Sequence, residues 1–313
     1  MSHTIRSLLT HDKAALEAAL GLDAGSARIE MQCLLQAVLQ VNRAYLLTHP
    51  EQQLDAGQQA YYAALFERRL RGEPIAYILG EREFYGLTFR VTPATLIPRA
   101  DTELLVELAF QRIPQPSPQP SPCTRREHPR RERQQSCSHW RDGRGSLLRV
   151  LDLGTGSGAI ALSIAHARPE AEVTAVDASH EALSVARENA LRLNIANVRL
   201  LRSDWFAALA GERFDLIVSN PPYIAEGDAH LAQGDLRFEP RAALASGADG
   251  LDDIHRIVAG AKEHLNAGGW LLFEHGYDQA GRARELLGAA GYAEVFSARD
   301  LAGIERVSGG RAC

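Results

Sequence analysis

The run Leu148-Leu-Arg-Val-Leu-Asp-Leu-Gly-Thr-Gly-Ser-Gly158, followed by Ala159-Ile-Ala-Leu-Ser-Ile-Ala-His166, restricts this chain to a narrow set of folds. A short apolar segment ending in glycines reads as a buried strand, and the alanine-rich segment after it as a helix. A strand that turns tightly into a helix belongs to an open, mostly parallel α/β sheet with helices on its faces. Gly154, Gly156 and Gly158, with Thr155 and Ser157 between them, permit that turn. They also let backbone N–H groups approach a ligand at the helix N-terminus.

The glycine loop alone leaves its ligand open. Gly154, Gly156 and Ala159 satisfy the relaxed dinucleotide fingerprint, so a nicotinamide enzyme or a nucleotide-binding module stays in view. Val173-Thr-Ala-Val-Asp177 reads as the next strand, with Asp177 at its carboxyl end. A carboxylate there can accept from both hydroxyls of a ribose, or cap the following helix. Val198-Arg-Leu-Leu-Arg202 is a further short strand, followed by Ser203-Asp204-Trp205-Phe206 on the rim where open α/β sheets bind ligands. Asp204 would accept from an adenine amino group and Trp205 supply ring surface, unless Trp205 only covers the sheet edge.

Phe214-Asp-Leu-Ile-Val-Ser219 reads as a buried strand that ends in Asn220-Pro221-Pro222-Tyr223. Two prolines cannot donate to a sheet ladder and hold their predecessors extended, so nearby carbonyls are free to accept from something else. An amide before them and an aromatic ring after them make a cradle of acceptors beside a flat apolar wall. That cradle suits a planar amino group. The bland alternative is a proline-punctuated loop capped by Asn220.

Taken in order, the strand ends carry a glycine loop, a ribose acid, Asp-Trp and Asn-Pro-Pro-Tyr. That order resembles the S-adenosyl-L-methionine-dependent methyltransferases of Rossmann-like fold that act on planar nitrogen. The chemistry asks for such groups. Methyl transfer is an in-line displacement in which positioning supplies roughly 7 to 11 kcal/mol of barrier reduction. An amide or arylamine nitrogen is a poor nucleophile. If Asn220 Oδ1 and the Pro221 carbonyl accept its N–H bonds, its lone pair turns toward the methyl group and fixed dipoles stabilise the developing charge. Tyr223 would hold the group's plane, and no strong base is needed.

The chain of 313 residues is long enough for one large α/β core and a smaller domain. Met31, Leu34, Leu35 and Val38 recur at helical spacing, as do Tyr62, Leu65 and Phe66, and Gly72 to Pro74 ends the last helix. Residues 1–73 therefore read as a helical bundle and 74–105 as a linker. Within the linker Phe84 to Val91 forms a hairpin, and Asp101 caps a helix with Glu103 in its first turn. Residues 106–313 form the catalytic part, with a helix over 253–266, a strand over 270–274, a helix over 279–290 and two short final strands. His275 reads as structural.

No apolar run is long enough to span a bilayer and no signal-peptide core opens the chain, so a cytoplasmic location and no membrane partner are expected. Four unpaired-looking cysteines argue against disulfides. A net charge of −5 argues against stable nucleic-acid binding over a large surface. A monomer is expected.

The match extends further, through Ile97-Pro-Arg-Ala-Asp-Thr-Glu103, Asp152-Leu-Gly-Thr-Gly-Ser-Gly158, Ser219-Asn-Pro-Pro-Tyr-Ile224, Arg237-Phe-Glu-Pro240 and Phe273-Glu-His-Gly276. Together these resemble the peptide chain release factor N5-glutamine methyltransferases of the HemK family. The resemblance implies methylation of the glutamine side-chain amide in the Gly-Gly-Gln motif of release factors, with the helical domain helping to dock that protein. It implies that Gly154, Thr155, Gly156, Ser157, Gly158, Asp177 and Trp205 hold the donor and that Asn220, Pro221, Pro222 and Tyr223 hold the glutamine, Asn220 touching both. Pro98-Arg99 would lie near the donor, and the last strand would run antiparallel.

Three features remain open at the level of sequence. Ala100 stands where the family often has proline. Pro114 to Arg144 is a proline- and arginine-rich insert that reads as disordered, and its Cys123, His128, Cys137 and His139 match no common metal-ligand spacing. Glu239 would either pair with a loop arginine and fix a lid over the site or face solvent. The alternative substrate is an exocyclic base nitrogen of DNA or RNA, which the same cradle would accept.

Overall fold

The structure, a computed structural model, describes residues 4–113 and 147–313. The insert expected at 114–144, with its cysteines and histidines, lies outside the described residues. Helical spacing in the first part of the chain produces α1 (Ile5–Leu20), α2 (Ala24–Leu39), α3 (Arg43–Thr48) and α4 (Ala56–Leu70). Thr4 with Ser7 and Asp55 with Gln58 close capping boxes that satisfy orphan N–H groups at the starts of α1 and α4. Met31, Leu34, Leu35, Val38, Tyr62 and Leu65 are buried in one cluster, and Phe66 packs half-buried against it. The turn at Gly72 to Pro74 does not end the helical region. Pro74, with its fixed φ of −55°, leads into a further short helix, α5 (Ile75–Leu79).

β1 (Glu81–Phe84) and β2 (Leu87–Arg90) form the expected hairpin, with the first strand starting earlier than its apolar residues suggested. Tyr85 and Gly86 turn it at φ of 50° and 75°, the left-handed pair that a two-residue hairpin loop requires. Phe84 and Phe89 point from the hairpin into the core of the catalytic part. The helix after it, α6 (Glu103–Arg112), is not capped by Asp101. A 3-10 turn over Ala100–Thr102 precedes α6, and Asp101 instead faces Arg306 at 3.9 Å. Glu103, in the first turn as expected, accepts from Tyr85 N at 3.0 Å and ties helix to hairpin.

The remaining elements are β3 (Arg149–Leu153), α7 (Ala159–Ala167), β4 (Glu172–Asp177), α8 (His180–Arg192), β5 (Val198–Arg202), β6 (Phe214–Ser219), α9 (Asp252–His264), β7 (Leu265–Glu274), α10 (Ala280–Ala289), β8 (Ala293–Arg299) and β9 (Glu305–Arg311). Among the described residues the main sheet has the order β5-β4-β3-β6-β7-β9-β8. β9 runs antiparallel to both its neighbours, and the other neighbouring pairs are parallel. This is the Rossmann-like methyltransferase sheet that the motifs implied. β7 begins without a loop at the end of α9, so Asn266 is strand rather than helix; its side chain donates to Asp215 on β6 at 2.8 Å.

β3 and β6 are buried on both faces, as parallel strands under helices are. From β3 the chain winds outward through β4 and β5, then returns to β6 on the other side of β3. The carboxyl ends of β3 and β6 therefore diverge at a switch point, and a crevice opens above them. Among the described residues no helix is long and apolar enough to cross a membrane.

Candidate functional site

A cavity of about 490 Å³ occupies that crevice. Gly154 to Ser157, Asp177, Trp205, Asn220 and Pro222 line it, joined by Phe84 of the hairpin and by Pro98, Thr102 and Pro240.

The floor is the glycine turn. Gly158 sits at φ +84°, and a Cβ there would meet Leu162 Cδ1 at 2.9 Å, so only glycine lets α7 start this close to its own first turn. Behind the loop, Asp152 is fully buried and accepts from Thr155 Oγ1 at 2.6 Å and Ala161 N at 3.2 Å. It thereby caps α7 from inside the preceding strand. Burial pushes its carboxyl up to about 7 against the pull of those two hydrogen bonds, and its Oδ1 has no partner among the described residues.

Asp177 ends β4 beside the loop. Oδ2 accepts from Gly156 N at 2.8 Å and Oδ1 from Ser179 N at 2.9 Å. The cap of α8 is Ser179, whose hydroxyl accepts from Ala182 N, so the helix-capping alternative for Asp177 does not hold. Each Asp177 oxygen keeps a lone pair for a further donor. Burial raises its carboxyl above the ordinary range.

Trp205 adopts φ +48°, and its ring stands over Gly154, 3.4 Å from where a Cβ would be. Its Nε1 donates to Asp253 Oδ1 at 3.1 Å, which locks the ring plane. Asp204 reaches the cavity but both its oxygens accept from Arg256 Nη2 at 2.9 Å.

At the end of β6, Asn220 Nδ2 donates to Thr102 Oγ1 at 3.1 Å, while Oδ1 is buried and has no partner among the described residues. Pro222 lines the cavity; Pro221 is buried beneath it. Tyr223 stands behind the wall, its hydroxyl donating to Glu274 Oε1 at 3.1 Å and its carbonyl accepting from Gln279 Nε2 at 3.0 Å. Pro240, Ala242 and Ala243 close the opposite side. Their segment is stitched to the strand end by Ile224 N on the Leu244 carbonyl and Ser246 N on the Ile224 carbonyl, both at 2.9 Å.

Two family models match the chain. The methyltransferase small domain matches residues 144–247 and the PrmC N-terminal domain matches residues 7–80. A release factor glutamine methyltransferase of Bordetella pertussis is 52% identical over 289 residues, covering 92% of this chain and 96% of that protein. One of Burkholderia pseudomallei is 50% identical, covering 95% of each chain, and one of Escherichia coli is 44% identical, covering 91% of this chain and 92% of that protein. The chain belongs to the release factor glutamine methyltransferase family. The resemblance read from its motifs therefore holds over nearly its whole length.

As a member of that family the chain uses S-adenosyl-L-methionine as methyl donor, and the cavity fits that role. It offers a glycine turn for the tail, a carboxylate with spare lone pairs for a ribose, and an indole face for a ring. Of the expected donor residues, Gly154, Thr155, Gly156, Ser157, Asp177 and Trp205 share one cavity with Asn220, whereas Gly158, Pro221 and Tyr223 lie outside its lining. Sequence reasoning missed Asp152 as a cap, because the residue it serves lies nine positions on. It also missed Thr102, whose only sequence signal was its place in the Ile97 to Glu103 motif. His275 is structural, as expected: it is fully buried, donating from Nδ1 to the Gly276 carbonyl at 2.9 Å and accepting at Nε2 from Ser308 Oγ at 2.8 Å.

Proposed function

We propose that this chain methylates the side-chain amide nitrogen of the glutamine in the Gly-Gly-Gln motif of peptide chain release factors. The observation that carries the reading is the buried, unpartnered Oδ1 of Asn220 on the cavity wall. A buried acceptor without a donor costs about 1–3 kcal/mol, so a substrate N–H that reaches it is welcomed.

Asn220 Oδ1 and the Pro221 carbonyl accept the two N–H bonds of the substrate amide, and Pro222 and Tyr223 hold its plane. Gly154, Thr155, Gly156, Ser157, Gly158, Asp177 and Trp205 hold the donor, with Asn220 at its edge. When bound, S-adenosyl-L-methionine supplies a methyl group on positively charged sulfur, which departs as a neutral thioether. As the nitrogen gains a carbon it becomes acidic and releases one proton to water, so no side chain acts as a strong base. The two carbonyl dipoles face the charge that develops on nitrogen before that proton leaves.

The helical bundle of residues 1–73 and the linker of 74–105 dock the release factor, and residues 106–313 carry the reaction. Arg69, buried in α4, joins Asp235 near the cavity's outer segment at 3.3 Å, so the bundle and the catalytic part are held as neighbours. The test is incubation with labelled donor and either a purified release factor or nucleic acid, followed by mass spectrometry. One added methyl on the Gly-Gly-Gln glutamine is the expected result; incorporation into nucleic acid alone would overturn the reading in favour of a base amine.

A further inference from the structure

Two buried groups stand behind the acceptor cradle, Thr102 against Asn220 and Glu274 against Tyr223. Glu274 ends β7 and is 2% exposed; Thr102, 4% exposed, opens α6. Glu274 Oε1 accepts from the Tyr223 hydroxyl at 3.1 Å, the Thr102 hydroxyl stabilises its ionised form, and its Oε2 is buried with no partner among the described residues.

Hydrogen-bond polarity runs through this chain of groups in one direction. An ionised carboxylate only accepts, and a threonine hydroxyl has a single proton to give. Thr102 Oγ1 accepts from Asn220 Nδ2 at 3.1 Å, which leaves the threonine's own proton for the Glu274 carboxylate it stabilises. Asn220 Oδ1 is left facing away from Thr102 with no donor among the described residues. We propose that Glu274 and Thr102 are positioning residues that fix the polarity of the Asn220 amide, so that its oxygen rather than its nitrogen meets the substrate. This rests on the reading of Asn220 as the acceptor of the substrate N–H.

A protonated carboxyl at position 274, or a glutamine that presents its NH2, reverses the sense. It can donate to Thr102, whose hydroxyl then donates to Asn220 Oδ1, and the amide turns its NH2 toward the cavity. A donor would then face the substrate's own N–H donors. The groups around Glu274 set how readily this happens. Burial and the charge of Asp101 push its carboxyl above the ordinary range; the hydrogen bonds from Thr102 and Tyr223 and the charge of Arg306 pull it down. Arg306 is divided between Asp101 at 3.9 Å and Asp300 at 3.2 Å, and so offsets little of the burial. His275, next on the same chain segment, is held neutral by burial. Arg99 adds a positive charge on the Tyr223 side.

The experiment measures kcat with a release factor, donor affinity and Tm for E274Q, T102V, T102S and N220A, with kcat followed against pH. E274Q and T102V each lose on the order of 10²-fold in kcat, the loss that follows misdirecting one fixed dipole. Their donor affinity and Tm stay near wild type, and T102S recovers most of what T102V loses. Wild-type kcat falls as pH drops through the Glu274 carboxyl, and E274Q lacks that limb. Wild-type kcat in folded, donor-binding E274Q and T102V alongside an inactive N220A would overturn the relay while leaving Asn220 in its role. A fully active N220A would overturn both.

Discussion

Glu239, its carboxylate wholly buried, accepts from Ile97 N at 2.9 Å and pairs with Arg99, joining the outer wall of the cavity to the linker. Pro98 lies between these contacts and Pro240 follows directly, and both line the cavity. Arg237, two residues earlier, donates to the Arg71 carbonyl at 3.2 Å, so the same wall reaches the helical bundle. Glu239 thus pairs with a loop arginine and fixes this wall rather than facing solvent. Removing Arg99 leaves a buried charge unpaired, whereas Glu239→Gln keeps the acceptor for Ile97 N. Arg99→Ala is therefore expected to lower stability by about 1–3 kcal/mol and to weaken donor binding, and Glu239→Gln to do less of both. Thermal unfolding and donor titration of the two variants check the order.

Asn220→Ala removes the acceptor but none of the glycine turn, Asp177 or Trp205. Transfer is expected to fall by about 10²- to 10³-fold, with donor affinity within about a factor of two of wild type. Calorimetric donor titration beside single-turnover methylation separates the two. An equal loss of donor binding would contradict the role.

The sheet and its crevice were legible because each strand end carries residues that a buried strand would not choose for packing: glycines after β3, Asp177 after β4, Trp205 after β5 and two prolines after β6. The cavity's far wall was not. Phe84, Pro98 and Pro240 reach it from segments distant in sequence, and local pattern contains no register between such segments. Asp101 looked like a helix cap because its residue type suits one, but the tertiary pull of Arg306 and an added 3-10 turn took it elsewhere. Asp152 read as one more residue of a buried strand. Only the fold brings the start of α7 over its carboxylate.

The segment at 114–144 joins two elements that already share a core. Leu105, Val106, Leu108, Ala109 and Ile113 of and just after α6 pack in one cluster with Val150 of β3. Replacing the segment with a flexible Gly-Ser linker of about ten residues keeps that connection. Activity and Tm are expected to stay near wild type. A collapse of turnover with Tm unchanged would assign the segment to substrate docking.

Asp152 ties stability to pH with a definite sign. Its carboxyl is held at about 7 in the folded protein, above its ordinary value of 3.8, so folding favours the protonated form. The stability this contributes is full below the unfolded value and is lost as pH rises through about 7. Glu274 and Asp177 are shifted the same way by burial and add to the slope. Asp152→Asn can still accept from Thr155 and Ala161 through one oxygen, but it cannot ionise. The variant is expected to unfold at a temperature that changes less than wild type between about pH 4 and 7. At the alkaline end it should match or exceed wild type, each kcal/mol gained being worth about 2–4 °C. If thermal unfolding of the variant keeps the full wild-type slope, the pH dependence belongs to the other buried carboxylates and Asp152 is ionised without penalty.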